Sequence, residues 1–212
     1  MPQPAISITL SNAGKKFGKD WIFRKVTLDI HPGEKLVILG LNGSGKSTLL
    51  QALSGYLTLN EGSLKYTAGE TLVEDEKQYH YISLASPYLE LIEDFTLQEM
   101  IAHAANYKPF MNQLSNDAVV ELSGLAAHRH KFIRLFSSGM KQRLKLILAI
   151  LADAPVLLLD EPTTNLDASV IAWYGQMIRE YASHKTIVVA SNSIKEEYAF
   201  CTRELRMSDF KP

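Results

Sequence analysis

A single cysteine, Cys201, stands in 212 residues. It has no internal partner, so a disulfide-built secreted fold is excluded and a reducing cytosol is expected. Charge of either sign is not in excess: 22 Lys+Arg face 23 Asp+Glu, for a net charge of -1. That balance excludes a generally basic nucleic-acid binder and gives no electrostatic drive toward anionic lipid. Long apolar runs are missing as well. The longest, Leu146 to Ala152, ends at Asp153 and Pro155, whereas a bilayer-spanning helix needs about 20 apolar residues. Met1-Pro2-Gln3-Pro4 has neither the basic start nor the apolar stretch of a signal peptide. With no direct membrane span expected, work at a membrane requires another chain to supply the spanning helices. There is no fixed-period repeat, no heptad pattern and no Pro/Gly/Ser linker, so residues 1–212 read as one domain, long enough to bury its own core.

What is present alternates between strand and helix signals. Ile6, Ile8 and Leu10 alternate with polar residues, and Val26, Leu28 and Ile30 repeat the pattern over Trp21 to Ile30. Leu36-Val37-Ile38-Leu39 is continuous, the mark of a strand buried on both faces. Gly62 to Tyr66 reads as a further short strand. Thr96 followed by Glu99 is a capping box that opens a helix over Leu97 to Tyr107. Asn112 to Leu122 is a second helical candidate. Gly139 to Ala152 is the strongest, with Met140, Leu144, Ile147, Leu148 and Leu151 on one stripe. The last third predicts strand (Val156–Leu159), helix (Ala168–Tyr181) and strand (Thr186–Ala190). Apolar strands alternating with helices imply an α/β fold with a mainly parallel sheet covered on both faces. A helical insertion is expected near residues 87–150. Trp21, Phe23 and Phe132 are expected in the core.

Chemistry concentrates at Gly40-Leu41-Asn42-Gly43-Ser44-Gly45-Lys46-Ser47-Thr48, which satisfies G-x-x-x-x-G-K-[ST] between an apolar strand and the apolar Leu49-Leu50. Glycines let successive N–H groups face one point, and a following helix adds its positive end. Lys46 offers a point charge for β- and γ-phosphates, and Ser47 a hydroxyl for Mg²⁺. Val156-Leu157-Leu158-Leu159-Asp160-Glu161 supplies the complement, two acids at the carboxyl end of a buried strand, where ligands bind in open α/β sheets. Asp160 is placed to hold Mg²⁺ and Glu161 to act as general base toward water.

With these residues in view, the chain resembles the ATP-binding domain of an ATP-binding cassette (ABC) transporter. Phe136-Ser137-Ser138-Gly139-Met140-Lys141-Gln142-Arg143 is similar to the family's signature, normally Leu-Ser-Gly-Gly-Gln, and Ser138 precedes Glu161 by 23 residues. Thr164-Asn165-Leu166-Asp167 is similar to the D-loop, and Phe17-Gly18 to the aromatic loop whose ring stacks on adenine. The resemblance implies a P-loop NTPase with a RecA-like parallel core, an N-terminal antiparallel β subdomain and an inserted helical subdomain. It implies ATP and Mg²⁺ as ligands and ATP hydrolysis as the activity. It further implies an ATP-dependent dimer, homodimeric or paired, in which Ser137, Ser138, Gly139 and Met140 of one subunit grip the ATP held by Lys46 of the other. The partner would be a separate integral-membrane permease, contacted around Ser86 to Phe95, with the chain peripheral at the inner face of the plasma membrane.

Two positions depart from the family pattern. Asn192 stands where the switch histidine is expected after strand Thr186–Ala190, and no Gln occurs near Ser86, where the Q-loop is expected. Asn donates a hydrogen bond but neither carries charge nor relays a proton. Slower turnover is one consequence, and a low-turnover ATP-binding regulatory or assembly module is the alternative reading. A soluble ABC ATPase acting on ribosomes or DNA fits less well, because such relatives generally carry two cassettes or long coiled coils.

Overall fold

The computed structural model describes residues 4–211, so Met1-Pro2-Gln3, on which the signal-peptide expectation rests, lie outside the described residues. Two sheets share the chain. The antiparallel sheet is built from β1 (Ile6–Phe17), β2 (Asp20–Ile30), β4 (Glu61–Ala68) and β5 (Thr71–Leu72), in the order β2-β1-β4-β5. The parallel sheet contains β3 (Lys35–Leu39), β6 (Ile82–Ala85), β7 (Val156–Asp160), β8 (Thr186–Ser191) and β9 (Arg203–Arg206), in the order β6-β7-β8-β3-β9. The helices are α1 (Lys46–Leu53), α2 (Leu97–Tyr107), α3 (Asn116–Leu122), α4 (Ser138–Leu151), α5 (Ala168–Tyr181) and α6 (Lys195–Tyr198). None of the described helices is long and apolar enough to cross a membrane.

The continuous apolar strands work as the period-2 geometry requires. Leu36 and Ile38 of β3, Val156 and Leu158 of β7, and Val188 and Ala190 of β8 face one core, shared with α1 and the antiparallel sheet. Val37 and Leu39, Leu157 and Leu159, and Ile187 and Val189 face the other, shared with α2 to α5. The parallel sheet is therefore the middle layer, and its two faces are covered by unlike materials. Full burial of one such leucine contributes about 2 kcal/mol.

The expected helices Leu97–Tyr107 and Ala168–Tyr181 form as read. Thr96 and Glu99 make both halves of the capping box. Several expectations need correction. The helix expected from Asn112 starts at Asn116, because Asn112 and Gln113 take positive φ and break the turn before Ser115 caps α3. β9, absent from the sequence reading, follows Thr186–Ser191 and pairs with β3. β6, absent from the sequence reading, forms the other edge beside β7. Phe23 is buried and Trp21 half-buried, as core residues, but Phe132 is exposed, its ring stacked under the Arg134 guanidinium.

One ionisable group sits deep in this frame. Lys185, at the entry to β8, is 1% exposed. Its Nζ donates to the Ile150 carbonyl at 2.9 Å and the Ala152 carbonyl at 2.6 Å, closing the C-terminal end of α4. Burial pushes its pKa down from 10.5 to about 8; nearby Asp153 raises it and Lys108 lowers it. Between pH 8 and 10.5 the unfolded chain therefore binds more protons at this position than the folded one, so its contribution to stability rises with pH. The unfolding temperature of the wild type, relative to that of Lys185→Met, should increase by a few degrees between pH 7.5 and 9.5 in calorimetry. A constant difference would show that the buried amine does not titrate in this window.

Candidate nucleotide site

β3 delivers the chain to the phosphate loop and α1 leaves it. Gly43 and Gly45 take φ of 74° and 99°, and Gly45 is the N-cap of α1. Two glycines are required by close approach. A Cβ on Gly40 would stand 2.4 Å from the Ser44 hydroxyl, and one on Gly45 would stand 2.6 Å from Ile22 of β2. α1 carries no side-chain cap and no acid in its first turn. Its amino end is thus left as an anion-binding end. The Ser44 hydroxyl is buried without a hydrogen-bond partner, further unused donor capacity in the cradle.

Lys46 is 3% exposed. Its ammonium is turned back onto the loop, donating to the Gly40 carbonyl at 3.0 Å, the Leu41 carbonyl at 3.1 Å and Asn192 Oδ1. Glu161 Oε1 lies 3.7 Å away. Asn192 Nδ2 donates to that same oxygen at 2.8 Å. Lys46, Glu161 and Asn192 are therefore one cluster, drawn from the start of α1 and the ends of β7 and β8. Glu161 is left-handed at φ 44°, and its N–H donates to the Ala190 carbonyl at 2.9 Å. This strained turn aims the carboxylate at the loop instead of letting it continue along the strand.

Asp160 is 2% exposed. Ser47 donates to its Oδ1 at 2.9 Å and Ser86 to its Oδ2 at 3.1 Å. Burial pushes its pKa up; the two hydroxyl bonds pull it down, the Glu161 charge raises it and Lys46 lowers it. Two hydroxyls around one carboxylate form a hard oxygen donor set, which fits Mg²⁺ and not a soft metal. Ser86 enters at the position where the sequence shows no glutamine, and the structure couples it to Asp160.

The remaining expected residues lie as follows. Phe17 is half exposed at the end of the β1–β2 hairpin, where it pairs with Asp20; Ile22 of the same hairpin abuts Gly45. Ser137 caps α4 by accepting from the Met140 N–H at 3.2 Å, and Ser138 is exposed beside it. Gly139 lies against the Asn165 carbonyl, where a Cβ would stand 3.0 Å away. Asp167 caps α5, with Oδ1 accepting from Ser169 N at 2.9 Å and Val170 N at 3.0 Å; bonds from Ser169 and Val170 hold its pKa down. The sequence reading names Gln142 in the signature-like segment but gives it no role; it is buried and donates to the Pro162 carbonyl at 3.1 Å. It ties the signature helix to the segment that carries Glu161. Gln142 lies opposite the Met140, Leu144, Ile147, Leu148 and Leu151 stripe, on a side with Leu146 and Ile150 that is buried as well, so the helical pattern gave no signal for it.

A family model described as ABC transporter matches residues 23–164, a stretch that holds the phosphate loop, the 137–140 segment and both acids. The chain belongs to the ABC transporter family. It is an ATP-binding cassette of the ATPase kind. A Bacillus subtilis protein named as an uncharacterised ABC transporter ATP-binding protein, YdbJ, is 31% identical over 205 residues, 96% of this chain and 66% of its own length. The cytochrome c biogenesis ATP-binding export protein CcmA of Pseudomonas aeruginosa is 34% identical over 178 residues, 82% of this chain and 87% of its own. This cassette thus spans just under two thirds of the Bacillus relative and most of the Pseudomonas one. Among solved structures, a putative ABC transporter ATP-binding protein from Pyrococcus furiosus superimposes with a TM-score of 0.79 at 18% identity, covering 97% of this chain and all of that one. The cassette MJ0796, in a dimeric post-hydrolysis state bound to ADP and Pi, gives 0.78 at 23% identity, covering 94% of this chain and 93% of that one. These likenesses establish the P-loop NTPase fold.

Within the cassette, Gly45→Ala tests the cradle directly. A side chain there meets both a positive φ and Ile22, and strain of 1–3 kcal/mol should weaken ATP binding about tenfold or more in calorimetric titration. Affinity within twofold of wild type would show that the loop does not need this glycine.

Proposed function

We propose that this chain binds ATP with Mg²⁺ and hydrolyses it as the energy-coupling subunit of an ABC transporter. The observation that carries the reading is the cluster at the carboxyl ends of β3, β7 and β8, where Lys46, Asp160, Glu161 and Asn192 surround the mouth of a glycine-lined anion cradle. The relatives' names, ATP-binding and export proteins, support it. The cassette acts as one unit over 1–212, with the helical insertion near 87–150.

In this reading the γ-phosphate draws the Lys46 ammonium off the Gly40 and Leu41 carbonyls. The amides of residues 43–48 and the end of α1 take the remaining phosphate oxygens, and Phe17 stacks on the base. Ser47 and Asp160 would hold Mg²⁺, with Ser86 fixing the far oxygen of Asp160; the ion would supply neutralisation of phosphate charge. Glu161 takes a proton from the attacking water. The new P–O bond forms as the β,γ-bridging bond breaks, giving ADP and phosphate. Asn192 Oδ1 releases Lys46, and the Nδ2 hydrogen that is not on Glu161 donates to the γ-phosphate. Most of the catalysis comes from position and charge neutralisation.

Two cassettes close over two ATPs, with Ser137 to Met140 of one subunit on the ATP of the other and Asp167 near the shared face. The permease docks beside Ser86–Phe95, where Tyr88, Leu89 and Ile92 are exposed. β6 leads from that segment to a cleft of about 1060 Å³ lined by Tyr56, Leu59, Tyr79, Leu84 and Tyr107. Exposed aromatics of this kind are enriched in protein interfaces. Docking there puts the chain at the inner face of the plasma membrane, and the permease selects the substrate.

Purified protein should release phosphate from ATP well above a Lys46→Ala control. Glu161→Gln should retain ATP binding and lose about 100-fold or more in turnover, the usual scale for a general base. Unchanged turnover in Glu161→Gln would remove Glu161 from the role. Tight ATP binding with no release above the control would favour the low-turnover regulatory or assembly module, the reading that Asn192 and Ser86 support. Ser86→Ala should raise the Mg²⁺ concentration needed for half-maximal turnover severalfold, since one oxygen of Asp160 loses its partner; an unchanged Mg²⁺ requirement would detach Ser86 from the metal.

A further inference from the structure

One fully buried carboxylate takes no part in the chemistry above. Glu197, on α6, has no exposed surface. Its Oε1 accepts from the Thr163 N–H at 3.2 Å and the Thr163 hydroxyl at 2.9 Å, and its Oε2 accepts from the Ser191 hydroxyl. Ser191 in turn accepts from the Ile194 N–H at 3.2 Å, closing the turn that holds Asn192 and Ser193. The Glu197 carbonyl accepts from the buried Tyr174 hydroxyl at 2.9 Å, so the backbone of α6 is tied to α5. All three donors to the carboxylate are neutral, and each lies one or two residues from a group in the cluster. Thr163 is two residues past Glu161, and Ser191 is one before Asn192.

We propose that Glu197 is a positioning residue that locks the Glu161 turn to the Asn192 turn and thereby sets the Asn192–Glu161 pair for hydrolysis. The physical reason is specificity of placement. Among the described residues, the direct side-chain link between the two turns on the site side is the 2.8 Å bond from Asn192 Nδ2 to Glu161. Glu161, at φ 44°, and Ser193, next to Asn192 at φ 70°, both have left-handed backbone, a conformation that persists only where surrounding contacts over-determine it. Glu197 supplies those contacts from behind, as an acceptor that two loops share. A side chain too short to reach leaves buried donors on both loops without a partner and lets the loops separate, while glutamine, with one acceptor oxygen, leaves the donors of one loop unpaired. The cradle is anchored elsewhere, on β3, α1 and β2, so ATP binding is not the step that Glu197 governs.

The inference rests on the ATPase reading and deepens it, and the test separates the two. Phosphate release and ATP affinity are measured on wild type, Lys46→Ala, Glu197→Ala, Glu197→Gln, Ser191→Ala and Thr163→Val, with Asn192→Ala alone and combined with Glu197→Ala. Glu197→Ala should lower kcat about tenfold or more, since small misplacements of catalytic groups cost that much, with ATP affinity within about threefold of wild type. Glu197→Gln should fall between, and Ser191→Ala and Thr163→Val should each lower kcat by a smaller factor with the same split. The Glu197→Ala/Asn192→Ala pair should be no slower than the slower single variant, because both act on one arrangement. A purely structural role predicts another pattern: lower unfolding temperature, affinity and kcat falling together, and additive losses. That pattern, or kcat within twofold of wild type in Glu197→Gln and Ser191→Ala, overturns the inference and leaves the ATPase reading intact. Should Glu197→Ala not fold, the Gln, Ser191 and Thr163 variants decide alone. Wild type no faster than Lys46→Ala overturns both.

Discussion

Lys46 sets the problem that the rest of the molecule answers. An ammonium 3% exposed has lost nearly all its water, and such a charge is costly unless it is paired. Here two main-chain carbonyls, the Asn192 amide oxygen and a carboxylate at 3.7 Å share it. None of these is a close ion pair. A polyphosphate entering the cradle meets a cation already stripped of solvent, aligned amides and an uncapped helix end. The desolvation cost is met during folding, by the two cores that clamp β3 between them, and is not charged again at binding.

The middle position of the parallel sheet follows from the same need. β3, β7 and β8 must end together, so that Lys46, Asp160, Glu161 and Asn192 meet, and their registers run in step: Leu39 pairs with Ser191 and Asp160 with Ala190. Alternate residues of each strand are locked into different cores, so a one-residue slip of any strand would expose its whole apolar set to the wrong layer. The precision of the site is thus inherited from hydrophobic patterning several residues away.

That patterning is also why much of the fold was legible in the sequence. Leu36–Leu39, Val156–Leu159 and the capping box at Thr96 carry local signals strong enough to stand alone, and the phosphate loop adds a motif whose chemistry is explicit. Other elements have no such signal. β9 is Arg-Glu-Leu-Arg, an edge strand with one partner, whose charges suit an exposed edge. β6 is four residues long and is a strand because β7 offers it a partner. α3 starts late because two residues before it take positive φ, which a helical pattern does not report. Phe132 looks like core by composition and is held outside by a cation stacked on its ring. In the site, Asp160, Glu161 and Asn192 could be placed by sequence, but the hydroxyls that address Asp160 could not all be. Ser86 is 74 residues from its partner in the chain. Glu197, in the run Lys195-Glu196-Glu197, reads as one acid of a solvated turn, and only tertiary folding shows it to be buried.

The two departures from the family pattern change the electrostatics of the site in one direction. A histidine next to Glu161 would bring a group that titrates between pH 5 and 8 into contact with the base. Asn192 brings no titrating group to Glu161, and Ser86 places a hydroxyl on Asp160. Apart from Lys46 and Glu161 themselves, which lie 3.7 Å apart, the side chains bonded to Lys46, Asp160 and Glu161 are the neutral Asn192, Ser47 and Ser86. Burial raises the Asp160 pKa, the Ser47 and Ser86 bonds lower it, the Glu161 charge raises it and Lys46 lowers it. What a charged switch residue would enforce by attraction must here be enforced by geometry. The structure supplies that geometry from behind the site, through the hydrogen bonds that hold the β7 and β8 turns at a fixed separation.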